Sequence, residues 1–418
     1  MIATLKADVK SLRAGLKGQD GIFYLGLFFI VLYYLRPQYI FSQLLIIPWL
    51  QITIVLGLML MFSKGRLEFK KEHFWVLMLA CLAGLSALNS RYPEISSKDI
   101  ATPFIFFLEV LFLSNCVKDT RQLKFLLIVF FLCVFKMSFF GARVWASRGF
   151  GFAEWGIQGP PGFFQNSGEY TLLMAMVAVM SIPFIVALAP KTKLYWILPV
   201  TAVMAAIGAS SRGGQLALLA GLIFLLLAYK KVGLKNLVYV FILGAVVWAV
   251  FPDAQKERFQ TAGDDKTSTT RLSYWTAGID MALKNPVLGV GLNAFPEHYH
   301  RYYKINDGSF LMQRREVSHN SLIQVASTVG IPALLIYLWL HFLVFKNPQK
   351  LGKKAAADPE AADFLRHFRV MLRGGIITYF VGAFFMSVVF YPYIYLLLSL
   401  AIIERRLRKE LVNDKRKV

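Results

Sequence analysis

The apolar residues of this chain are concentrated in blocks of roughly 16–25 residues, each long enough to cross the hydrocarbon core of a bilayer. Backbone polar groups cannot remain unpaired in lipid, so such blocks must form transmembrane helices or a closed barrel. The blocks are continuously apolar and do not alternate with polar residues, which favours helices. About twelve transmembrane helices are predicted. They lie near residues 21–35, 39–62, 74–90, 99–116, 122–140, 169–188, 194–210, 214–229, 236–251, 319–346, 371–388 and 389–404.

The composition agrees with an all-α, polytopic integral membrane protein in which residues 1–418 form a single membrane domain. Hydrophobic residues make up 57% of the chain and the mean hydropathy is +0.54, whereas soluble proteins are about 45–50% apolar. Cys81, Cys116 and Cys133 lie in or at the ends of apolar blocks, which is typical of small buried residues and not of disulfides or a metal site. Neither a cofactor nor a metal is predicted, because no nucleotide-binding or zinc-binding motif is found in the sequence.

The net charge of +22 is distributed unevenly along the chain. No aromatic-basic module accompanies it, so nucleic-acid binding is not predicted. When the spans alternate from a cytoplasmic N-terminus, most basic residues fall in cytoplasmic segments, as the positive-inside rule requires. Both termini and a loop at 347–370 are then cytoplasmic, and loops at 141–168 and 252–318 lie on the outer face. The basic residues predicted to face the cytoplasm are Lys64, Arg66, Lys70, Lys71, Lys118, Arg121, Lys191, Lys193, Lys230, Lys231, Lys235, Arg405, Arg406, Arg408 and Lys409.

Basic residues predicted on the outer face are mostly arginines, although the positive-inside rule does not require them there. The planar guanidinium of Arg suits bidentate binding of phosphate, whereas Lys is a point charge. Binding of an anion is one explanation, and chance placement on the surface is the other. These arginines are Arg36, Arg91, Arg143, Arg148, Arg212, Arg258, Arg271, Arg301, Arg314 and Arg315.

The first candidate site is the short turn at residues 210–214, between two predicted spans at the outer face. Arg212 in this turn either marks the interface with its side chain in water or binds a ligand. A tight turn would preorganise Arg212, and Gly213 and Gly214 would let the backbone approach a ligand closely. Ionisable residues at this depth are functional candidates. We predict an anion site at Arg212.

The second candidate lies in the outer loop 252–318, which is predicted to contain a short amphipathic helix at the membrane–water interface. Residues 268–270 would cap this helix, and Asn285-Pro286 would end it. Arg271 would then lie in the first turn, where its guanidinium and free backbone N–H groups would bind an anion together. A solvated arginine is the alternative. The apolar face would comprise Leu272, Trp275, Ile279 and Leu283.

The third candidate is His319, at the start of the predicted span 319–346. Ser318 is expected to cap this long helix, which would put His319 in the first helical turn. A helix N-terminus disfavours imidazolium, so His319 would be neutral and able to accept a proton. The alternatives are a structural histidine that bonds a loop carbonyl, or a site at His298 and His300.

The outer loop 141–168 is a further candidate, for contacts with sugar. Arg143, Arg148 and Gln165, together with aromatic residues, suit hydrogen bonding and stacking with a carbohydrate. The same residues are also typical of an ordinary interfacial loop. Asn320, beside His319, is added as a possible substrate contact.

The order of these motifs resembles that of the O-antigen ligase and polymerase superfamily. The resemblance covers roughly residues 160–345, and the early turn Arg36-Pro37-Gln38 is similar to a subgroup of exosortase-associated O-glycosylation ligases. The motifs that carry it are Ser211-Arg212-Gly213, Arg271, Asn285-Pro286-Val287-Leu288-Gly289-Val290-Gly291, His319-Asn320-Ser321-Leu322 and Gly330-Ile331-Pro332.

The resemblance implies a glycosyltransferase of lipopolysaccharide biosynthesis, in the bacterial inner membrane and with its active site facing the periplasm. O-antigen ligases transfer a polysaccharide from undecaprenyl pyrophosphate to a sugar hydroxyl of lipid A–core, without a metal and with inversion. Carried onto this sequence, their roles make Arg212 and Arg271 pyrophosphate ligands and His319 the general base. The expected partners are the lipid-linked donor, the lipid A–core or another glycan acceptor, and membrane lipids.

Other functions stay open from sequence alone. O-antigen polymerases and protein O-glycosylation ligases share the architecture and differ in their acceptors. A transporter of a lipid-linked or anionic solute would have ionisable residues near the midplane and internal repeats, but only Glu109 and Lys136 are charged there and no repeat is evident. A structural role in a glycan export complex is a third possibility. The candidate residues cluster at one membrane face, which favours interfacial chemistry.

Overall fold

The structure of the protein, a computed structural model, describes residues 16–152, 156–189, 193–229, 256, 266–303, 315–346 and 358–413. Every regular element in these ranges is helical, which confirms the predicted all-α class. Short helical turns are formed by Val31–Leu35, Pro37–Ile40, Ser42–Ile46, Pro93–Ser96, Ser97–Asp99 and Lys193–Trp196. The main helices are α1 (Gly21–Ile30), α2 (Trp49–Ser63), α3 (Lys71–Leu88), α4 (Ala101–Cys116), α5 (Thr120–Ser147), α6 (Ser167–Leu188), α7 (Ile197–Gly208), α8 (Arg212–Ala228), α9 (Lys266–Lys284), α10 (Phe295–Tyr302), α11 (Ser321–Thr328), α12 (Ile331–Phe345), α13 (Pro359–Ala383) and α14 (Pro392–Asn413).

Among the described residues, four helical stretches are long and apolar enough to cross a membrane: α3, Pro93–Cys116, α5 and α6. Five shorter apolar stretches accompany them. Membrane-type helices are thus present, while the count of twelve spans stays a prediction, and the predicted span 236–251 lies outside the described residues. The most deeply buried of the four is α6, which packs against α7, α8 and α13.

The predicted span 319–346 consists of two helices, α11 and α12, and not of one. Gly330 separates them with a φ of 108°, and a Cβ atom there would collide with the carbonyl group of Val287. Glycine adopts this backbone conformation without steric strain. Pro332 follows in the first turn of α12, where its missing N–H is tolerated but prevents continuation of a preceding helix.

Two regions predicted as loops contain more helix than expected. Helix α13 begins inside the predicted loop 347–370, and the carboxylate of Asp358 caps it. The predicted loop 252–318 contains two helices, α9 and α10, where one amphipathic helix was predicted. Hydropathy alone misses such elements because polar helices are stabilised by capping and by packing of one face.

Many basic residues predicted to face the cytoplasm lie together at one end of the helix bundle. Asp20 pairs there with Arg66 and Lys118, both at 2.6 Å. Arg405 pairs with Glu72 at 2.5 Å. The first turns of α6, α8 and α11 lie at the opposite end. This separation agrees with the alternation of spans on which the predicted topology depends.

Glu404 forms a buried charge triad with one arginine of α13 and one of α14. Its carboxylate is fully buried and binds Arg369 at 2.9 Å and Arg408 at 2.8 Å. Removal of one member of a buried charge group leaves the others uncompensated, so Glu404→Gln should lower the free energy of unfolding by about 3–5 kcal/mol. Thermal unfolding in detergent is the measurement. Glu360→Gln, which removes an exposed pair with Lys124, should cost less than about 1 kcal/mol, and equal effects would contradict the prediction.

Candidate functional site

The turn at residues 384–391 joins α13 to α14 at the end opposite the charge clusters. The ring of Phe384 packs edge-on against Trp275 of α9, with centroids 5.3 Å apart. Phe385 packs against Gly213 in the first turn of α8. The 384–391 turn is thus a common support for the helix that contains Arg271 and the helix that begins at Arg212, although these helices are distant in sequence.

Arg212 is the first residue of α8, and Ser211 is its N-cap residue. Ser210 has a φ of 61°, in the left-handed region, and this conformation makes the connection from α7 to α8 tight. The side chain of Arg212 is half-buried. A Cβ atom at Gly168, in the first turn of α6, would lie 3.8 Å from Oγ of Ser211. The starts of α6 and α8 are therefore adjacent.

Gly213 and Gly214 serve helix packing, contrary to the prediction that they would admit a ligand. A Cβ atom at Gly213 would lie 2.5 Å from Cβ of Phe385. One at Gly214 would collide with the side chain of Thr171 on α6. Protein atoms already fill both spaces, so a ligand would approach Arg212 through its side chain.

Arg271 lies in the second turn of α9, because this helix already includes Lys266. The prediction that residues 268–270 cap the helix and that Arg271 occupies its first turn is therefore wrong. An anion at Arg271 would be bound by the half-buried guanidinium group, without the free N–H groups of a helix start. The predicted end of the helix, immediately before Asn285, is confirmed.

Helix α9 is amphipathic, but Trp275 does not belong to its exposed face. The indole Nε1 of Trp275 donates to the carbonyl oxygen of Ser318 at 3.1 Å. This bond ties α9 to the residue that precedes His319. The buried face of the helix comprises Tyr274, Ala277 and Met281, and the exposed apolar face comprises Leu272, Ile279 and Leu283.

His319 lies just before α11 and not in its first turn, which corrects the prediction. Asn320 is the N-cap residue, and its Oδ1 accepts from the N–H groups of Leu322 and Ile323 at 2.9 and 3.1 Å. Ser318, the predicted cap, donates to the carbonyl oxygen of Asn320 at 3.0 Å. His319 has a φ of 50°, a backbone strain of the kind found at functional sites.

The imidazole of His319 is partly exposed and contacts two side chains. Its ring stacks on Tyr274 of α9, with centroids 6.4 Å apart and 29° between the planes. Its Nε2 atom is 3.6 Å from Oε2 of Glu316. Burial, followed by the negative charge of Glu316, raises the pKa of Tyr274 to about 12. The phenol beside the imidazole is therefore neutral at physiological pH.

Ser321 fastens the start of α11 to the 384–391 turn. Its buried hydroxyl donates to the carbonyl oxygen of Met386 at 2.7 Å and accepts from the N–H of Val388 at 2.9 Å. The hydroxyl of Tyr379 donates to the carbonyl oxygen of Val388 at 3.0 Å. The turn that supports α8 and α9 thus also fixes the residues beside His319.

Loss of the Ser321 hydroxyl is expected to destabilise the protein. Ser321→Ala leaves the N–H of Val388 and the carbonyl of Met386 buried without this partner, which costs about 1–3 kcal/mol per unpaired group. Ser327, also buried in α11, donates only to carbonyl groups of its own helix, so Ser327→Ala is the matched control. Thermal unfolding in detergent should show a clearly lower midpoint for the Ser321 variant, and equal midpoints would argue against this anchoring role.

The other predicted substrate contacts are not drawn together by bonds among the described residues. Helix α5 continues to Ser147, so Arg143 lies in this helix and not in the predicted loop 141–168. Arg148 is its C-cap residue, and Arg143, Arg148 and Gln165 have exposed side chains. Asn320 is buried and caps α11, which is a structural role. Contact of these residues with a substrate stays a prediction.

Arg36 has a structural role, although it was grouped with the possible anion ligands. It is buried with a φ of 58°, and its guanidinium donates to the carbonyl oxygen of Pro161. The same group lies 4.3 Å from the ring centroid of Tyr39. A Cβ atom at Gly162 would lie 2.5 Å from Nη2 of Arg36. Arg36 therefore holds the loop before α6 against the turn after α1.

A second, smaller core surrounds α10, and no sequence pattern predicted it. Glu297 is buried in this unit and pairs with Arg301 at 2.9 Å and with Arg315 at 3.1 Å. The pair with Arg315 connects α10 to the chain that leads into His319. The buried hydrophobic residues of this core are Tyr92, Tyr274, Ala277, Met281, Val290, Ala294, Phe295 and Tyr299.

His298 belongs to this second core and is buried. Burial, followed by the positive charge of Arg91, lowers the pKa of His298, so it is neutral at physiological pH. Its Nδ1 lies 3.3 Å from the hydroxyl of Tyr92. These contacts favour a structural role for His298 over the alternative active site, whereas His300 on the same helix remains partly exposed.

The three main candidates thus lie on three elements that meet at the 384–391 turn. Two are arginines, whose guanidinium groups bind phosphate oxygens in bidentate fashion. The third is a partly exposed imidazole, which can accept a proton. This set of groups suits transfer of a group from an anionic leaving group to a hydroxyl.

Comparison with known families adds an independent result. Residues 197–338, roughly a third of the chain, match the family model described as O-Antigen ligase. No curated protein matches the chain. The matched segment contains Arg212, Arg271 and His319, whereas α6 and the 384–391 turn lie outside it. The match confirms the resemblance to the O-antigen ligase-like superfamily.

Proposed function

From the premise that residues 197–338 form an O-antigen ligase family domain, which supports a ligase- or polymerase-type glycosyltransferase, we propose that this protein is an O-antigen ligase. In the proposed reaction a polysaccharide is transferred from undecaprenyl pyrophosphate to a sugar hydroxyl of lipid A–core. The reaction belongs to lipopolysaccharide biosynthesis and takes place at the periplasmic face of the bacterial inner membrane.

One observation carries the proposal. The family-matched segment supplies two arginines and a histidine, and the elements that contain them pack on the same 384–391 turn through Phe384, Phe385 and Ser321. A base and two anion ligands at one end of a helix bundle suit a substrate whose lipid is in the membrane and whose sugar is in water. A transporter would instead need ionisable groups along a path through the bilayer.

The proposed mechanism assigns the leaving group to the arginines and the acceptor to the histidine. Arg212 and Arg271 bind the pyrophosphate of the donor and stabilise the negative charge that develops on it. His319 accepts the proton of the acceptor hydroxyl while the oxygen attacks the anomeric carbon. The bond from this carbon to the pyrophosphate oxygen breaks, and its electron pair remains on the pyrophosphate.

Two properties follow from this mechanism. Direct attack inverts the anomeric centre and forms no covalent bond between sugar and enzyme. A pyrophosphate neutralised by arginines is already a good leaving group, so the reaction is proposed to proceed without a metal. Transfer should therefore persist in the presence of a metal chelator.

The decisive experiment incubates the purified full-length chain with undecaprenyl-pyrophosphate-linked O-antigen and lipid A–core, without nucleotide and with a chelator. Appearance of lipid A–core that carries the polysaccharide supports the ligase. Lengthening of the lipid-linked chains without capping of lipid A–core would make the protein a polymerase. If neither product forms, and the protein instead moves the lipid-linked glycan between leaflets of a vesicle, the transporter reading replaces the proposal.

The proposed orientation has its own test, by cysteine labelling in a variant without native cysteines. Tyr302 on α10 and Glu360 on α13 are both highly exposed, and the proposal assigns them to opposite sides of the membrane. A membrane-impermeant maleimide should label Tyr302→Cys in spheroplasts and Glu360→Cys only after permeabilisation. Labelling of position 360 in intact spheroplasts would contradict the orientation.

A further inference from the structure

We infer that Glu316 is a positioning residue that orients His319, and that Nδ1 of the imidazole is the atom that accepts the acceptor proton. This inference rests on the proposed function, in which His319 is the general base. The inference adds that Nδ1 is the ring atom that accepts the proton, and that Glu316 is the side chain that leaves Nδ1 without a proton. The observations that carry it are the contact between Glu316 and His319, the strained backbone at His319 and the packing of the ring on α9.

The contact between Glu316 and His319 distinguishes the two ring nitrogens. Oε2 of Glu316 is 3.6 Å from Nε2 of His319, and no hydrogen bond to Nδ1 is present among the described residues. A neutral imidazole has one N–H donor and one nitrogen with a lone pair, and a neighbouring carboxylate favours the proton on the nitrogen that faces it. The N–H therefore belongs on Nε2, and the lone pair on Nδ1. Such contacts are commonly long before substrate binds and shorten in the reactive complex.

The surroundings of His319 hold its ring in this orientation. The backbone of His319 has a φ of 50°, and its ring stacks on Tyr274 of α9. Residues on both sides are fixed, because Trp275 donates to the carbonyl oxygen of Ser318 and Asn320 caps α11. The ring is thus held on one face by a neutral phenol and at one edge by a carboxylate.

In this arrangement the proton of the acceptor hydroxyl is transferred to His319 as the glycosidic bond forms. The proton of the acceptor hydroxyl moves to Nδ1 while its oxygen forms a bond to the anomeric carbon. The bond from this carbon to the pyrophosphate breaks, and the electron pair stays on the pyrophosphate oxygen. His319 becomes an imidazolium, whose positive charge is stabilised by the carboxylate of Glu316, as in other base–carboxylate pairs.

A double-mutant cycle separates positioning from a general effect on structure. Removal of a carboxylate that orients a functional histidine typically costs about 10–100-fold at metal sites, and we expect Glu316→Gln to lower kcat by a similar factor with little change in KM for lipid A–core. Because Glu316 acts through His319, the same substitution should have no further effect in the His319→Ala background. Glu316→Asp, which keeps the carboxylate, should recover part of the rate. The matched control is Glu94→Gln, which changes an exposed glutamate on the turn before α4.

A second measurement does not depend on activity, so it distinguishes failure of this inference from failure of the proposed function. In protein labelled with ¹⁵N-histidine, the His319 signals are identified by their loss in His319→Ala. We expect the Nε2–H tautomer in the native chain and a larger share of Nδ1–H in Glu316→Gln. An Nδ1–H tautomer in the native chain, or an equal loss of kcat from Glu316→Gln in both backgrounds, would overturn the inference. If the tautomer is as expected but no transfer occurs, the proposed function is wrong and the orienting contact remains.

Discussion

His319→Ala is expected to lower the rate of glycan transfer by about 10²–10⁴-fold, the range that general-base catalysis contributes. Sugar hydroxyls are weak acids, so an acceptor oxygen needs help with its proton as the new bond forms. The proposed pyrophosphate ligands, Arg212 and Arg271, lie on other elements, so this variant should still bind the lipid-linked donor. Turnover with purified components and donor binding measured separately provide the test.

The alternative histidine site offers the sharpest contrast for this experiment. His300 is partly exposed on α10, within the same matched segment as His319. If transfer persists at the native rate in His319→Ala but is lost in His300→Ala, the base has been assigned to the wrong residue. Trapping of a glycosyl-enzyme adduct would separately exclude direct displacement by the acceptor. His319 and His300 are both partly exposed, so we expect both variants to fold and their rates of transfer to be measurable.

Arg212→Ala and Arg271→Ala are each expected to lower transfer by about 10²–10³-fold, as removal of a preorganised charge-stabilising donor does in other enzymes. In the proposed mechanism each guanidinium stabilises the pyrophosphate more strongly as the bond to the sugar breaks, so its loss should slow the reaction. Arg212→Lys should not restore the rate, since an ammonium group lacks the planar fork that binds two oxygens at once. The measurement is kcat and KM for the lipid-linked donor.

A control arginine from the other end of the bundle makes this result specific. Arg366 on α13 is exposed and lies 3.6 Å from Asp363, so Arg366→Ala removes a positive charge without touching the candidate site. Its turnover should equal that of the native chain. Native turnover in both Arg212→Ala and Arg271→Ala would eliminate the proposed pyrophosphate site. Full recovery by Arg212→Lys would mean that charge alone is required.

Much of the architecture could be predicted from the sequence, because lipid imposes a simple rule on apolar blocks. Helices occupy most of each predicted block among the described residues, although turns interrupt or shorten the blocks 39–62, 319–346 and 371–388. The rule fails where glycine, proline or a capping residue determines where a helix begins or ends. Gly330-Ile331-Pro332 interrupts the predicted span 319–346, because glycine and proline end and start helices whatever the hydropathy around them. Asp358-Pro359-Glu360 is typical of a helix start, although it lies in the polar stretch that was predicted to be a loop.

Prediction of the candidate site from the sequence is limited in a similar way. Arg212 and His319 could be predicted because each lies at the outer end of a predicted span, and Arg271 because it lies near the start of a predicted amphipathic helix in the outer loop. The N-cap next to His319 was misassigned because Ser318 and Asn320 are nearly equivalent as capping residues. The 384–391 turn could not have been found from one sequence. It acts through contacts such as Ser321 with Met386, which no local pattern encodes.

The position of the 384–391 turn has a consequence for biosynthesis. A growing chain exposes its N-terminal part first, so all three candidate residues are synthesised before α13 and α14, which follow them in the chain. Until both helices have formed, the 384–391 turn cannot support α8, α9 and α11. A nascent chain that has not yet reached α14 therefore contains the three candidate residues without the turn on which their elements pack. The same turn matters for a chimera in which only residues 197–338 are exchanged with those of a relative. The exchanged helices would have to pack on the 384–391 turn, which lies outside the exchanged segment.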